Sequence, residues 1–231
     1  MPIDRHFLIT SLPAIGELGS APPMGIADLV EHVAGNKPWR SLVEAIVLLD
    51  DLLQREALLS GEIEDADPAI LSVQQARGEA PLPDMLVAVD EQDTPAVIEA
   101  DLLWERYFRY AHELGGSQGA LFLVRWVEYE VSLRNALAAA RARRLGLEER
   151  GYQVALDLVS STEDLSPVLS EWEAAATPLA GLRVAIRARW SWIDQHDAWF
   201  SFSVDELLAY AARIMLLEQW RRSADKEDVA V

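Results

Sequence analysis

Cysteine is absent from the 231-residue chain. That excludes disulfides, thiolate nucleophiles and cysteine-ligated zinc, and it suits a reducing compartment. Histidine is scarce, present only as His6, His32, His112 and His196, so few nucleophile–base pairs can be formed. Long apolar runs are missing as well. The longest uncharged stretches, His6–Gly16 and Leu114–Val124, fall well short of the roughly 18 residues that a membrane-crossing helix needs. The first of these faintly resembles a signal peptide, but Asp4, Pro13 and Glu17 spoil the pattern, and it is read as part of the mature fold. There is no phosphate loop, dinucleotide fingerprint, HExxH motif or nucleophile elbow.

Negative charge, by contrast, is plentiful. The formal net charge is −18 at neutral pH. Such a polyanion is repelled by nucleic-acid backbones and by anionic membrane surfaces. Solubility alone is a sufficient reason for it; a basic protein partner is the sharper reading. With 51% hydrophobic residues the chain has enough apolar content to fold around a core rather than remain disordered.

The periodicity predicts a mainly α, bundle-like fold. Leu42, Ile46, Leu49 and Leu53 recur at helical spacing between Pro38 and Gly61, which suit a helix start and stop. A shorter helix is expected over Ile26–Val33. The longest is expected over about residues 118–145, roughly 42 Å at 1.5 Å per residue, between Gly115-Gly116 and Gly146. It is apolar on more than one side, through Leu123, Trp126, Leu133 and Leu137 on one stripe and Val124, Val127 and Val131 on the next. That breadth makes it the central helix. Thr94-Pro95, Ser166-Pro167 and Thr177-Pro178 each set a capping hydroxyl before a proline, and Ser203 with Glu206 spells a capping box. Phe7–Thr10 reads as a short strand or extended segment, and Leu82–Val89 as a second candidate strand.

Residues 60–95 differ from their surroundings. They hold nine carboxylates against Arg77 alone and carry Pro68, Pro81, Pro83 and Pro95. An irregular connection is expected there, between an N-terminal helical part (1–59) and a helical main part (96–231). Whether these are two hinged halves or one domain stays open.

Few residues point to chemistry. Glu130 falls in an apolar stripe of the long helix with Arg134 one turn later, the favourable order for an ion pair. A structural pair is expected; a Trp-lined pocket around Glu130 and Arg134, serving an enzyme or ligand-binding regulator, is the alternative. Asp194-x-His196-Asp197 offers metal-binding residue types, but a solvated turn accounts for it. Arg141, Arg143 and Arg144 crowd a helix C-terminus, where the dipole favours cations and where they could also orient docking. Trp190, Trp192, Trp199, Phe200 and Phe202 lie close together; core explains most of them, while Trp192 and Trp199 do not fit the same stripe and are candidates for an interface.

Several segments together resemble a bacterial family, the DUF2764 proteins. They are the opening His6-Phe7-Leu8-Ile9-Thr10-Ser11-Leu12-Pro13, the segment Leu49-Asp50-Asp51-Leu52-Leu53, and Arg125 through Leu137 with its Leu133-Arg134-Asn135-Ala136-Leu137. The C-terminal pieces are Trp190-Ser191-Trp192-Ile193-Asp194 and Leu207-Leu208-Ala209-Tyr210. Proteins of this family are typically encoded beside the genes of bacterial V/A-type rotary ATPases. They are similar to the helical socket of those enzymes, the counterpart of the eukaryotic d subunit, which joins the central stalk to the membrane ring. The resemblance implies a non-catalytic subunit or assembly partner that couples stalk to ring. It further implies a cytoplasmic location, peripheral to the membrane through the complex; no cofactor is expected, and the acidity speaks against bound nucleic acid.

Overall fold

Apolar residues three and four positions apart become helix wherever that spacing is sustained. The structure, a computed structural model, describes residues 5–87 and 99–229, and among these residues there are helices and turns but no strand. In chain order the α-helices are α1 (Arg5–Thr10), α2 (Ile26–His32), α3 (Lys37–Leu59), α4 (Val73–Ala76) and α5 (Glu99–Gln118), followed by α6 (Leu121–Leu145), α7 (Ser166–Glu173), α8 (Pro178–His196) and α9 (Val204–Val229). Local chemistry sets several ends. The Asn36 side chain accepts the Trp39 N–H at the start of α3, and Thr177 accepts that of Ala180 at the start of α8. Gly146 closes α6 in the left-handed conformation, φ 68°.

The centre is occupied by α9 together with α6. From Leu207 to Leu217 almost every side chain of α9 is buried, including Leu208, Ala211, Ile214 and Leu216. A helix apolar all round must be enclosed, and α3, α8 and α6 enclose this one. On α6, Leu123, Trp126, Val127, Val131 and Leu133 are fully buried, as their stripes predict, with α5 as its main neighbour. The middle of the molecule therefore holds two long helices where one was expected. Because α3 packs on both α9 and α5, the apolar core is continuous from Leu8 to Leu216.

Other expectations change on tertiary contact. The N-terminal run forms α1 rather than a strand, burying Leu8 and Ile9 on one side of a helical turn while His32 Nε2 lies 2.9 Å from the Leu8 carbonyl. In place of the second candidate strand, residues Asp84–Leu86 form a 3-10 turn that buries Leu86; residues 88 and 89 of that segment, like Thr94-Pro95, lie outside the described residues. α5 runs through Gly115-Gly116 and ends at Gly119, whose φ is 68°. A Cβ on Gly115 would come within 3.1 Å of the Val124 side chain, so this glycine serves the close approach of α5 to α6.

The described part of the acidic connection is irregular but anchored. Asp51 in α3 accepts the backbone N–H groups of Ala69 (2.9 Å), Ile70 (2.7 Å) and Leu71 (2.7 Å). Gln54 accepts the Asp67 N–H at 2.9 Å, and Arg55 donates to the Gln75 carbonyl. Next to Asp51, the buried Asp50 receives Arg222 through both oxygens (2.6 and 2.7 Å), Gln54 (2.9 Å) and Gln219 (3.0 Å), which ties α3 to α9.

Burial pushes the Asp51 carboxyl up to about 6, against the opposing pull of its three N–H donors. With its folded value above the ordinary 3.8, Asp51 contributes most to stability below about pH 4. That contribution is lost as the pH rises through 6. Urea unfolding across pH 4–7 should show the stability of the native protein, relative to an Asp51→Asn variant, falling by on the order of 2–3 kcal/mol over this window. A flat difference would place the group at an ordinary carboxylate value.

Candidate functional site

The turn between α8 and α9 is assembled around one buried cation. Arg213, on the enclosed part of α9, is 3% exposed. It forms a salt bridge with Asp197 and donates to Asp194 at 2.9 Å. Its guanidinium also lies 4.7 Å from the Trp199 ring centre and 5.8 Å from that of Trp190. Two carboxylates and two aromatic faces thus neutralise and cover a charge that could not otherwise be buried. Burial raises the Asp197 carboxyl above its ordinary value, while Arg213 pulls it down. Beyond Asp197 the chain bends so that Phe200 and Phe202 adopt φ of 60° and 50°. Glu206 holds this bend by accepting the N–H groups of Phe200 (3.2 Å) and Phe202 (2.7 Å). The carboxylate expected to complete a capping box with Ser203 is thus used on the turn before it.

Two aromatic residues in the left-handed region are costly, about 1–2 kcal/mol each, because Cβ crowds the backbone. Core packing does not repay that cost. Phe200 is 81% exposed, Trp199 59% and Phe202 39%. The ring of Phe202 meets His6 at 5.2 Å, and the neighbouring Phe7 is 61% exposed. Between α1 and the turn opens a cleft of about 150 Å³, lined by Ile9, Leu12, Ile15, Trp199 and Tyr210, with Asp197, Glu206 and Arg213 in its wall. Tyr210 donates to the Pro13 carbonyl at 2.9 Å, and partial burial raises its phenol to about 12. These exposed aromatics therefore stand on backbone held outside its usual conformations.

The sequence-predicted residues separate into different places. Glu130 is buried, but its partner is Arg189 of α8, through Nε–Oε1 (2.7 Å) and Nη2–Oε2 (2.8 Å). Arg134 instead faces α5, donating to Asp101 at 2.8 Å and lying 5.3 Å from the Trp104 ring. The expected Glu130–Arg134 pair therefore does not form; the two residues enter separate ion pairs facing different helices. A guanidinium arriving from another helix can meet both carboxylate oxygens in parallel, a fit that a same-helix neighbour rarely achieves.

Trp192 is also placed differently. It is 4% exposed, stacked on His196 (4.1 Å) and Tyr129 (5.1 Å), and donates to Glu163 at 2.9 Å. It belongs to the core, and of the two candidate interface tryptophans only Trp199 is exposed. Arg141, Arg143 and Arg144 are exposed at the C-terminal end of α6; Arg141 lies over Trp172 (5.5 Å) and Arg143 pairs with Glu149 (3.0 Å). The aromatic turn sits at the other end of α6, where Asp205 accepts the Phe122 N–H at 3.0 Å. With 25 residues between its ends, α6 holds the two features roughly 35 Å apart. They cannot share one compact interface. As for Asp194, His196 and Asp197, the aspartates engage Arg213 and His196 Nδ1 bonds the Trp192 carbonyl (2.8 Å); among the described residues no group of three such side chains is placed to hold a metal.

Sequence reasoning missed Phe200 and Phe202 as individual site residues. Their spacing gave a usable signal: aromatics two apart, directly before a capped helix, fit no helical stripe. Two variants separate contact residues from structural ones. Phe200→Gly should raise stability by about 0.5–1 kcal/mol, the relieved strain less the entropy cost of glycine. Glu130→Gln should lower it by about 3–5 kcal/mol by stranding the Arg189 charge. Urea midpoints at constant slope test both, and a destabilised Phe200→Gly would show that the ring supports the fold.

Compared with known proteins, the chain matches no family model, and no curated protein or solved structure matches it either.

Proposed function

We propose that this protein works by docking, as a non-catalytic subunit or assembly partner of a bacterial V/A-type rotary ATPase, in the socket position between central stalk and membrane ring. The observation that carries the docking part is the Trp199–Phe202 turn: strained at two residues, exposed, and fastened to a rigid helical body by Glu206 and Arg213. Large aromatic side chains on a preorganised support are what protein interfaces use as anchors. The family resemblance of the Phe7–Pro13, Leu133–Leu137 and Trp190–Asp194 segments supports the ATPase part. A coupling element must transmit force without deforming, and ion pairs linking α3 to α9 and α6 to α8 are suited to that. No helix among the described residues is long and apolar enough to cross a membrane.

The test is affinity purification of the tagged protein from native membranes at low salt, with the co-purifying chains identified by mass spectrometry. Stalk and ring proteins in stoichiometric amounts are the expected outcome. Recovery of the protein alone, with intact ATPase elsewhere in the gradient, would overturn the coupling role.

A further inference from the structure

The surroundings of the aromatic turn say something about what covers it. The cleft beside Trp199 has apolar walls from Ile9, Leu12 and Ile15 and a volume of about 150 Å³, enough elsewhere to admit a benzene ring. Two of the three charged residues in its wall, Asp197 and Glu206, are acidic. Asp194 keeps 54% of its side chain exposed, Glu206 is half-buried at the turn, and Asp205 begins the next helix beside it. Arg213, the cation in the wall, is buried and already shared by Asp194 and Asp197. Asp197 in turn keeps its Oδ1 without a well-formed hydrogen bond. Across the whole chain the formal charge is −18.

This electrostatic setting separates the possible occupants. A second copy would bring another −18 and the same carboxylates against this face, and an anionic lipid surface would be repelled in the same way. A positively charged protein segment would be attracted at long range and matched at short range. We propose that the cleft between α1 and the Asp197–Ser203 turn seats an apolar side chain from a basic segment of a partner protein, with Trp199, Phe200 and Phe202 covering the anchor and Asp194 and Glu206 meeting the flanking lysines or arginines. The inference rests on the docking reading above and specifies the chemistry of its partner, not which complex that partner belongs to.

The test is site-specific photo-cross-linking of the full-length protein in its native membranes, with benzoylphenylalanine in place of Phe200, and in place of Leu145 as a control. Leu145 is 71% exposed at the far end of α6. The expected product from position 200 is one peptide with net positive charge around an apolar residue. Its yield should fall several-fold with Trp199→Ala, with Asp194→Lys, and on raising the salt from low to high concentration, because exposed charges are screened. Circular dichroism of each variant checks that the fold is kept. A cross-link to lipid, to a second copy, or to an acidic or uncharged segment would overturn the proposal, as would a yield no greater than at position 145. The two readings fail separately. A basic peptide from a protein outside the ATPase would leave the cleft chemistry standing and remove the coupling role. Co-purifying ATPase proteins without a basic cross-link at position 200 would do the reverse.

Discussion

Enclosure of α9 is the constraint on which the rest of the structure depends. Its middle turns carry apolar side chains in every direction, so no orientation leaves a face for water, and three other helices must surround it. The same helix carries Arg213, Gln219 and Arg222, which cannot be enclosed unless each meets a partner. Those partners fix where the neighbours go. Asp50 places α3 against the C-terminal half, and Asp194 with Asp197 places the end of α8 against the N-terminal half. Apolar burial supplies the drive; buried charge supplies the register.

The exposed turn is a consequence of that arrangement. Once Arg213 is buried, Asp197 is held beside it, and the chain must leave α8 and enter α9 within a few residues. Glu206 catches the N–H groups of Phe200 and Phe202, and the backbone is drawn into the left-handed region at both. Small residues would make this turn at lower cost. The presence of large aromatics where the backbone disfavours them and the core does not use them is the physical reason for reading the turn as a contact surface rather than a linker.

Ion pairs in this molecule differ in kind. Arg189–Glu130 is bidentate and buried, and in Arg222–Asp50 the single Nη2 group bridges both oxygens of a buried carboxylate, so loss of one member leaves a charge in a poorly hydrated place. Arg40–Glu44 and Arg187–Glu171 lie at the surface, where solvent and salt reduce such pairs to little net stabilisation. The first kind gives the bundle a fixed internal geometry. The second, with the excess of carboxylates, shapes the electrostatic field around the surface.

Helix class, the extents of α3 and α6, the proline-started α8 and the irregular character of residues 60–87 were all legible in the sequence, because spacing, capping and proline act within a few residues of themselves. The predicted burial of Glu130 also holds, since a carboxylate within a wide apolar stripe has nowhere else to go. Its partner was not legible. Arg134 and Arg189 are equally arginine in the sequence, and only the packing of α8 brings the second within bidentate reach. The same applies to Trp192 and Trp199, seven residues apart and alike in composition, of which one is stacked in the core and the other left in solvent. The sequence by itself determined which segments are helical and which faces are apolar, through interactions local along the chain. Only the tertiary structure decided which charges meet and which aromatics remain outside, because those outcomes depend on distances between residues far apart in sequence.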